Sequence, residues 1–218
     1  MVRRNIKHET SMKLKYPTTY TVFDLETTGL DPGNDRILEV AVLDVQDGIT
    51  VNEYSQIINH GPDFKIPPQA TAIHGITDEM CASEGLAEDV VLMKLMVHLA
   101  KSGNVVSHNG IRFDMQFVLN SLTRIFSVDQ VEHVRLRLIL DHIDTAMLIK
   151  GSKAGIQRHW NESFYDYARR VGDTRSYVKF NLALCCDELG IDRSSITAHR
   201  AAADCALTNE VYKKLLLS

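Results

Sequence analysis

Asp24 and Glu26 stand two residues apart in Tyr20-Thr21-Val22-Phe23-Asp24-Leu25-Glu26-Thr27-Thr28-Gly29-Leu30, and this pair limits the fold more than any other feature. The first half of the stretch is rich in aromatic and β-branched residues, lacks Gly and Pro, and runs into a turn at Gly29. That composition predicts a buried strand. Side chains i and i+2 of a strand project to one face. Two carboxylates side by side on an apolar strand are costly to bury unless something offsets their repulsion. A divalent cation does so, and carboxylate oxygens are the ligands that Mg2+ or Mn2+ prefers. Taken alone, the pair also fits a strand whose two acids point to solvent.

At 218 residues and 44% hydrophobic, the chain can bury a full core, most simply as one domain. A net charge of -4 and a pI near 6.1 argue against coating long stretches of nucleic acid by counterion release. They leave room for an enzyme that grips a few nucleotides. No stretch approaches the roughly 18 to 20 consecutive apolar residues of a membrane span, so no membrane partner is expected. The basic N-terminus lacks the apolar run of a secretory signal, and a cytoplasmic address is the expectation. Cys81, Cys185, Cys186 and Cys205 show no C-x-x-C spacing and read as reduced thiols.

In chain order, residues 1–17 read as a flexible N-terminal arm and 18–218 as a single domain. A second strand (Ile37 to Val45), a hairpin signal at Asp47-Gly48 and a third strand (Ile49 to Ile58) follow the first. Leu86 to Lys101 has helical spacing, with Leu86, Val90, Met93 and Val97 predicted as a core-facing stripe. Asn104 to His108 reads as a short buried strand and Leu136 to Ile143 as another. Between Lys150 and Lys179, aromatics alternate with bases. The longer segment from Phe126 to Tyr177 predicts one extra amphipathic helix and a mobile loop around Gly172-Asp173-Thr174-Arg175, or alternatively a groove for single strands. A last helix runs from Ala201 to Leu217. Strands alternating with helices after an initial meander describe a mixed α/β sheet.

Two further acids stand at element ends: Asp114 at the start of a helix and Asp204 in the first turns of the last one. His199, five residues before Asp204, would lie on another face of a continuous helix. It can approach Asp204 only from the entering loop. Ser194-Ser195-Ile196-Thr197 offers capping residues there.

Phe23-Asp24-Leu25-Glu26-Thr27-Thr28-Gly29-Leu30, Ser107-His108-Asn109-Gly110-Ile111-Arg112-Phe113-Asp114 and His199-Arg200-Ala201-Ala202-Ala203-Asp204 resemble the three exonuclease motifs of the DnaQ-like DEDDh family. Ile73-His74-Gly75-Ile76-Thr77, Asp144-Thr145-Ala146 and Asn181-Leu182 resemble family landmarks in the same order. The likeness runs from about Tyr20 to Leu216.

The resemblance implies an RNase H-like fold with a mixed five-stranded sheet, three antiparallel strands then parallel ones, flanked by helices. It also implies 3′–5′ release of nucleoside 5′-monophosphates from single-stranded or frayed DNA ends. Asp24, Glu26 and Asp204 would hold one of two divalent ions, Mg2+ or Mn2+, with Asp24 bridging to the second and Asp114 helping to hold that one. His199 would be the general base, a role suited to an imidazole. The sister subfamily carries Tyr where this chain has Arg200. Backbone N–H groups around Leu25, Thr27 and Thr28 would face the terminal nucleotide, with Leu30, His74, Gly75 and Ile76 beside the base. His74 and Asn109 would each either contact substrate or stabilise its turn. Alternatives are an exoribonuclease and a non-catalytic module that binds nucleic acid or a polymerase. The sequence stops just past the last helix, and the expectation is a free-standing enzyme, or one carried by a partner such as a polymerase through its globular surface, over a tethered proofreader. Oligomeric state is not readable.

Overall fold

A computed structural model describes residues 16–101, 103–175, 177–194, 196 and 199–217. Residues 1–15 of the expected arm lie outside the described residues. Tyr16 and Pro17, also assigned to the arm, pack onto the domain. Tyr16 stacks on Phe164 and meets Tyr212 edge-on, and Tyr212 Oη donates to the Pro17 carbonyl.

The sheet grows from β1 (Tyr20–Thr27), which pairs antiparallel with β2 (Ile37–Gln46), itself antiparallel to β3 (Ile49–Asn59). Asp47 and Gly48, both at positive φ, close the β2–β3 hairpin as the two-residue signal predicts. The chain then passes through α1 (Pro68–His74), α2 (Asp78–Glu84), the two-residue β4 (Leu86–Ala87) and α3 (Glu88–Lys101). It returns to the other side of β1 as β5 (Val105–Ser107), parallel to β1. After α4 (Asp114–Ile125) and α5 (Val128–Leu140), β6 (His142–Asp144) joins β5 in parallel. The strand order is β4-β3-β2-β1-β5-β6, so the expected five strands gain a short sixth at the β3 edge. The rest of the fold is α6 (Thr145–Lys153), α7 (Phe164–Asp173), α8 (Leu182–Glu188) and α9 (Ala201–Leu216). Among the described residues no helix is long and apolar enough to cross a membrane.

Alternation along β1 fixes what meets the acids. Tyr20 bonds Asn209 and packs edge-on against Tyr212, both on α9, whereas Thr21 faces Asp44 and the His98 carbonyl at α3. Even-numbered positions therefore face α9, and Asp24 and Glu26 share that side. α9 lies across β1 and β2, which carries its first turn over the strand's acidic end.

Two sequence expectations change. Along α3 the buried side chains are Val91, Leu92, Leu95 and Leu99, whereas Val90, Met93 and Val97 are about half exposed and Leu86 lies before the helix. Both stripes have helical spacing. The Leu-rich one wins because each fully buried Leu contributes about 1.5–3 kcal/mol. Most of Leu136 to Ile143 is helix: α5 buries Val131, Val134 and Leu138 at helical spacing, and only His142 onward is strand. Among the described residues, 126–178 hold three helices, α5, α6 and α7, and Gly172 and Asp173 of the expected loop lie at the end of α7.

Candidate active site

The acidic centre forms where β1 ends. Asp24, Glu26 and Asp204 each offer a carboxylate oxygen, and these oxygens lie within 4.8 Å of one another. The β1–β2 register breaks just after Glu26, a local irregularity of the kind that re-aims side chains beside sites. Asp114, buried at the start of α4, completes the group and is steadied by the Leu25 backbone N–H.

Burial shifts all four carboxyls upward. Burial first, then Asp114, Asp204 and Glu26, push the Asp24 carboxyl well above the ordinary carboxylate range. Burial and Asp204 raise Glu26 to about 8, with Arg200 pulling only weakly the other way. Asp114 rises to about 7, again chiefly through burial. Asp204 is raised by burial and held back by His199, through its charge and its backbone N–H. Four acids crowded together with this little compensation fit a divalent cation, which favours their ionised forms.

His199 sits outside α9, exposed, with φ of 61°. It reaches Asp204 from the entering loop, the arrangement the spacing demanded. Of the expected capping segment, Ser195 and Thr197 lie outside the described residues, and Arg200 occupies the cap position with no side-chain cap bond. The donor at the head of α9 is satisfied from another element. Glu39 on β2, directly opposite Glu26, accepts from the Ala201 N–H at 3.2 Å and from the Arg200 guanidinium at 2.8 and 3.1 Å.

The turn before Asp114 has its own buried acid. Asp144 accepts from the N–H groups of Asn109 (2.9 Å) and Ile111 (3.2 Å) and caps α6 at Met147 (3.2 Å). Even so, burial raises it to about 6. Gly110 lets this turn close: a Cβ there would fall 2.1 Å from Ser107 Oγ and 3.1 Å from Asp114 Oδ2. His108, kept neutral by burial with its pKa lowered to about 4, bonds the Phe180 carbonyl at 2.7 Å and faces Thr145 Oγ1. Glu39 was not singled out from sequence, and Asp144 stood there only within the Asp144-Thr145-Ala146 landmark, with no role assigned. The readable signal was an acid inside an otherwise apolar strand, which demands donors from elsewhere.

The remaining expected contacts fall into two sets. Leu30 is 83% exposed on the turn after β1, and Asn109 holds φ of 63° in the turn before Asp114. In contrast, Thr28 is buried and spends its hydroxyl on Asp35 and the Arg36 N–H, while Thr27 Oγ1 bonds the Gly29 carbonyl. The Leu25 N–H is directed at Asp114 and the Thr28 N–H at the Arg36 carbonyl, so neither is free for a nucleotide. His74 is buried and accepts from the Ile76 N–H at 3.0 Å, and burial chiefly lowers its pKa. Gly75 supplies the left-handed cap of α1. Ile76 is fully enclosed against Leu38 and Ile57 and has no surface to offer a base.

The basic and aromatic segment is divided. Arg170 is committed to Glu162 through two bonds of 2.7 Å. Arg169, near the Tyr165 ring, joins Arg112 and Gln116 around a surface depression of about 460 Å³.

A family model described as exonuclease (RNase_T) matches residues 21–212. A PolC-type DNA polymerase III from Thermotoga petrophila is 32% identical over 128 residues, covering 59% of this chain and 9% of the polymerase. The DNA polymerase III subunit epsilon of Rickettsia conorii is 26% identical over 197 residues, covering 89% of this chain and 72% of that protein. In fold, the chain resembles E. coli exonuclease I, solved in complex with a dT13 oligonucleotide. The TM-score is 0.70 at 20% identity, over 93% of this chain and 41% of that one. The chain thus spans only a small part of the polymerase and less than half of exonuclease I.

Proposed function

This chain belongs to the RNase_T exonuclease family, DnaQ-like nucleases of the RNase H-like superfamily, and on that premise we propose that it is a metal-dependent 3′–5′ exonuclease releasing nucleoside 5′-monophosphates from single-stranded or frayed DNA ends. One observation carries the reading: Asp24, Glu26 and Asp204 bring oxygens within 4.8 Å of one another, with burial raising all three.

Asp24, Glu26 and Asp204 would hold one divalent ion, Mg2+ or Mn2+, with Asp24 shared toward a second that Asp114 helps to hold. Such ions, when bound, supply Lewis-acid activation of water and charge neutralisation at the phosphoryl group. His199 would take the proton of the attacking water and, being exposed, can pass it to solvent. Leu30 would lie against the terminal base, and the Asn109 turn would border the scissile nucleotide. His74, Gly75 and Ile76 would support that rim from beneath. Single-stranded DNA is the preferred substrate class because a protein of this fold is described with dT13 bound. The polymerase III relatives make a polymerase a reasonable partner.

The test is digestion of DNA and RNA oligonucleotides, labelled at either end, with Mg2+, Mn2+ or a chelator. The reading requires mononucleotides released from the 3′ end of DNA only when metal is present. Internal cuts, release from the 5′ end, or cleavage in chelator contradict it.

A further inference from the structure

Glu39 lies one strand away from the acidic centre, opposite Glu26, and is 2% exposed. An ionised carboxylate has about four lone-pair sites. In Glu39 they meet four donors. Oε1 takes Ser55 Oγ at 3.0 Å and Arg200 Nη2 at 2.8 Å; Oε2 takes Arg200 Nε at 3.1 Å and the Ala201 N–H at 3.2 Å. With its oxygens saturated, Glu39 has nothing left for a metal ion. Its donors instead come from the two residues that immediately follow His199.

That placement has a consequence for the histidine. His199 holds φ of 61°, a region that non-glycine residues seldom adopt and that persists only when surrounding contacts impose it. The Arg200 fork and the Ala201 N–H fix the backbone directly on its C-terminal side. The same bonds seat the first turn of α9, where the Asp204 N–H bonds the Arg200 carbonyl at 3.0 Å. Resting on the nuclease reading above, we infer that Glu39, working through Arg200 and Ala201, is the positioning residue that aims His199 at the reacting water. A planar, bidentate fork suits this task in a way that a lysine ammonium cannot.

The experiment is a double-mutant cycle between Glu39→Gln and His199→Ala, read by single-turnover cleavage of a 3′-labelled single strand at saturating Mn2+. Glu39→Gln keeps the shape but turns an amide toward the guanidinium, freeing the loop. A displacement of this kind costs about 10²-fold in turnover with KM nearly unchanged. In the His199→Ala background the same change should cost almost nothing, because the group it aims is gone. Arg200→Lys, a milder change at a partly exposed side chain, should reproduce the pattern if Glu39→Gln does not fold. Equal losses in both backgrounds, or a lowered melting temperature with unchanged turnover, would overturn the inference. Absence of 3′ release in the wild-type protein would sink the nuclease reading instead, which is a separate outcome.

Discussion

Two sets of buried acids sit a strand apart, and they are treated in opposite ways. At the end of β1, Asp24, Glu26, Asp114 and Asp204 face one another, and burial raises all four, with repulsion from neighbouring carboxylates adding at Asp24, Glu26 and Asp114. On β2, Glu39 is as deeply buried as any of them but has a donor for every lone pair. Asp144 stands between these extremes, with backbone donors at Asn109, Ile111, Ala146 and Met147 and a carboxyl still raised to about 6. Burial alone therefore does not identify a ligand. What separates the sets is whether the protein itself supplies the countercharge or leaves it to be bound.

The contrast is broken first at Asp24. Asp24→Ala should abolish cleavage in an oligonucleotide assay. Asp24→Asn, also inactive, should raise the melting temperature of the metal-free protein by on the order of a few degrees by removing a carboxyl that must take up a proton on folding. A fully active variant would separate the acids from the chemistry.

His199→Ala comes next. It should leave Mn2+ binding intact while lowering turnover by roughly 10²–10⁴-fold. Unchanged turnover would remove the proposed base.

The pH response sharpens the comparison further. In the metal-free fold Glu26 titrates at about 8 and Asp114 at about 7, against ordinary values of 4.5 and 3.8. Between about pH 4 and 8 the folded chain then holds more protons than the unfolded one, so its stability falls as pH rises through that window. Bound metal must displace those protons, so affinity should tighten by about tenfold per pH unit for each one displaced, levelling above pH 8. Thermal melts with and without Mn2+ from pH 5 to 8.5 check both signs. Metal-free stability that climbs with pH would contradict the assignment.

The smallest effect is expected at Ser55→Ala, which removes one of the four Glu39 donors. A loss worth about 1 kcal/mol should slow turnover only a few-fold and leave the metal untouched.

Much of this centre was legible because its logic is local. The i, i+2 spacing of Asp24 and Glu26 places both on one strand face, and the five-residue gap from His199 to Asp204 forces the histidine into the loop. The supporting role of Glu39 was not legible, since a carboxylate inside Ile37-Leu38-Glu39-Val40 announces a need for donors without naming Arg200, far away in sequence. The two faces of α3 failed for another reason. Val90, Met93 and Val97 recur as regularly as Leu92, Leu95 and Leu99, and only the packing against the sheet chooses between them. In α5, the run ending in Leu138-Ile139-Leu140 is apolar enough for either strand or helix, and tertiary contacts of Val131 and Val134 decide.

The central claim is that the protein leaves one set of acids for a metal and satisfies the other itself. Titration of Mn2+ by calorimetry or electron paramagnetic resonance tests it directly, in wild type, Asp24→Ala and Glu39→Gln. The account predicts tight binding in wild type, its loss in Asp24→Ala and its survival in Glu39→Gln. Equal affinity in all three proteins, or equal loss in both variants, would contradict it.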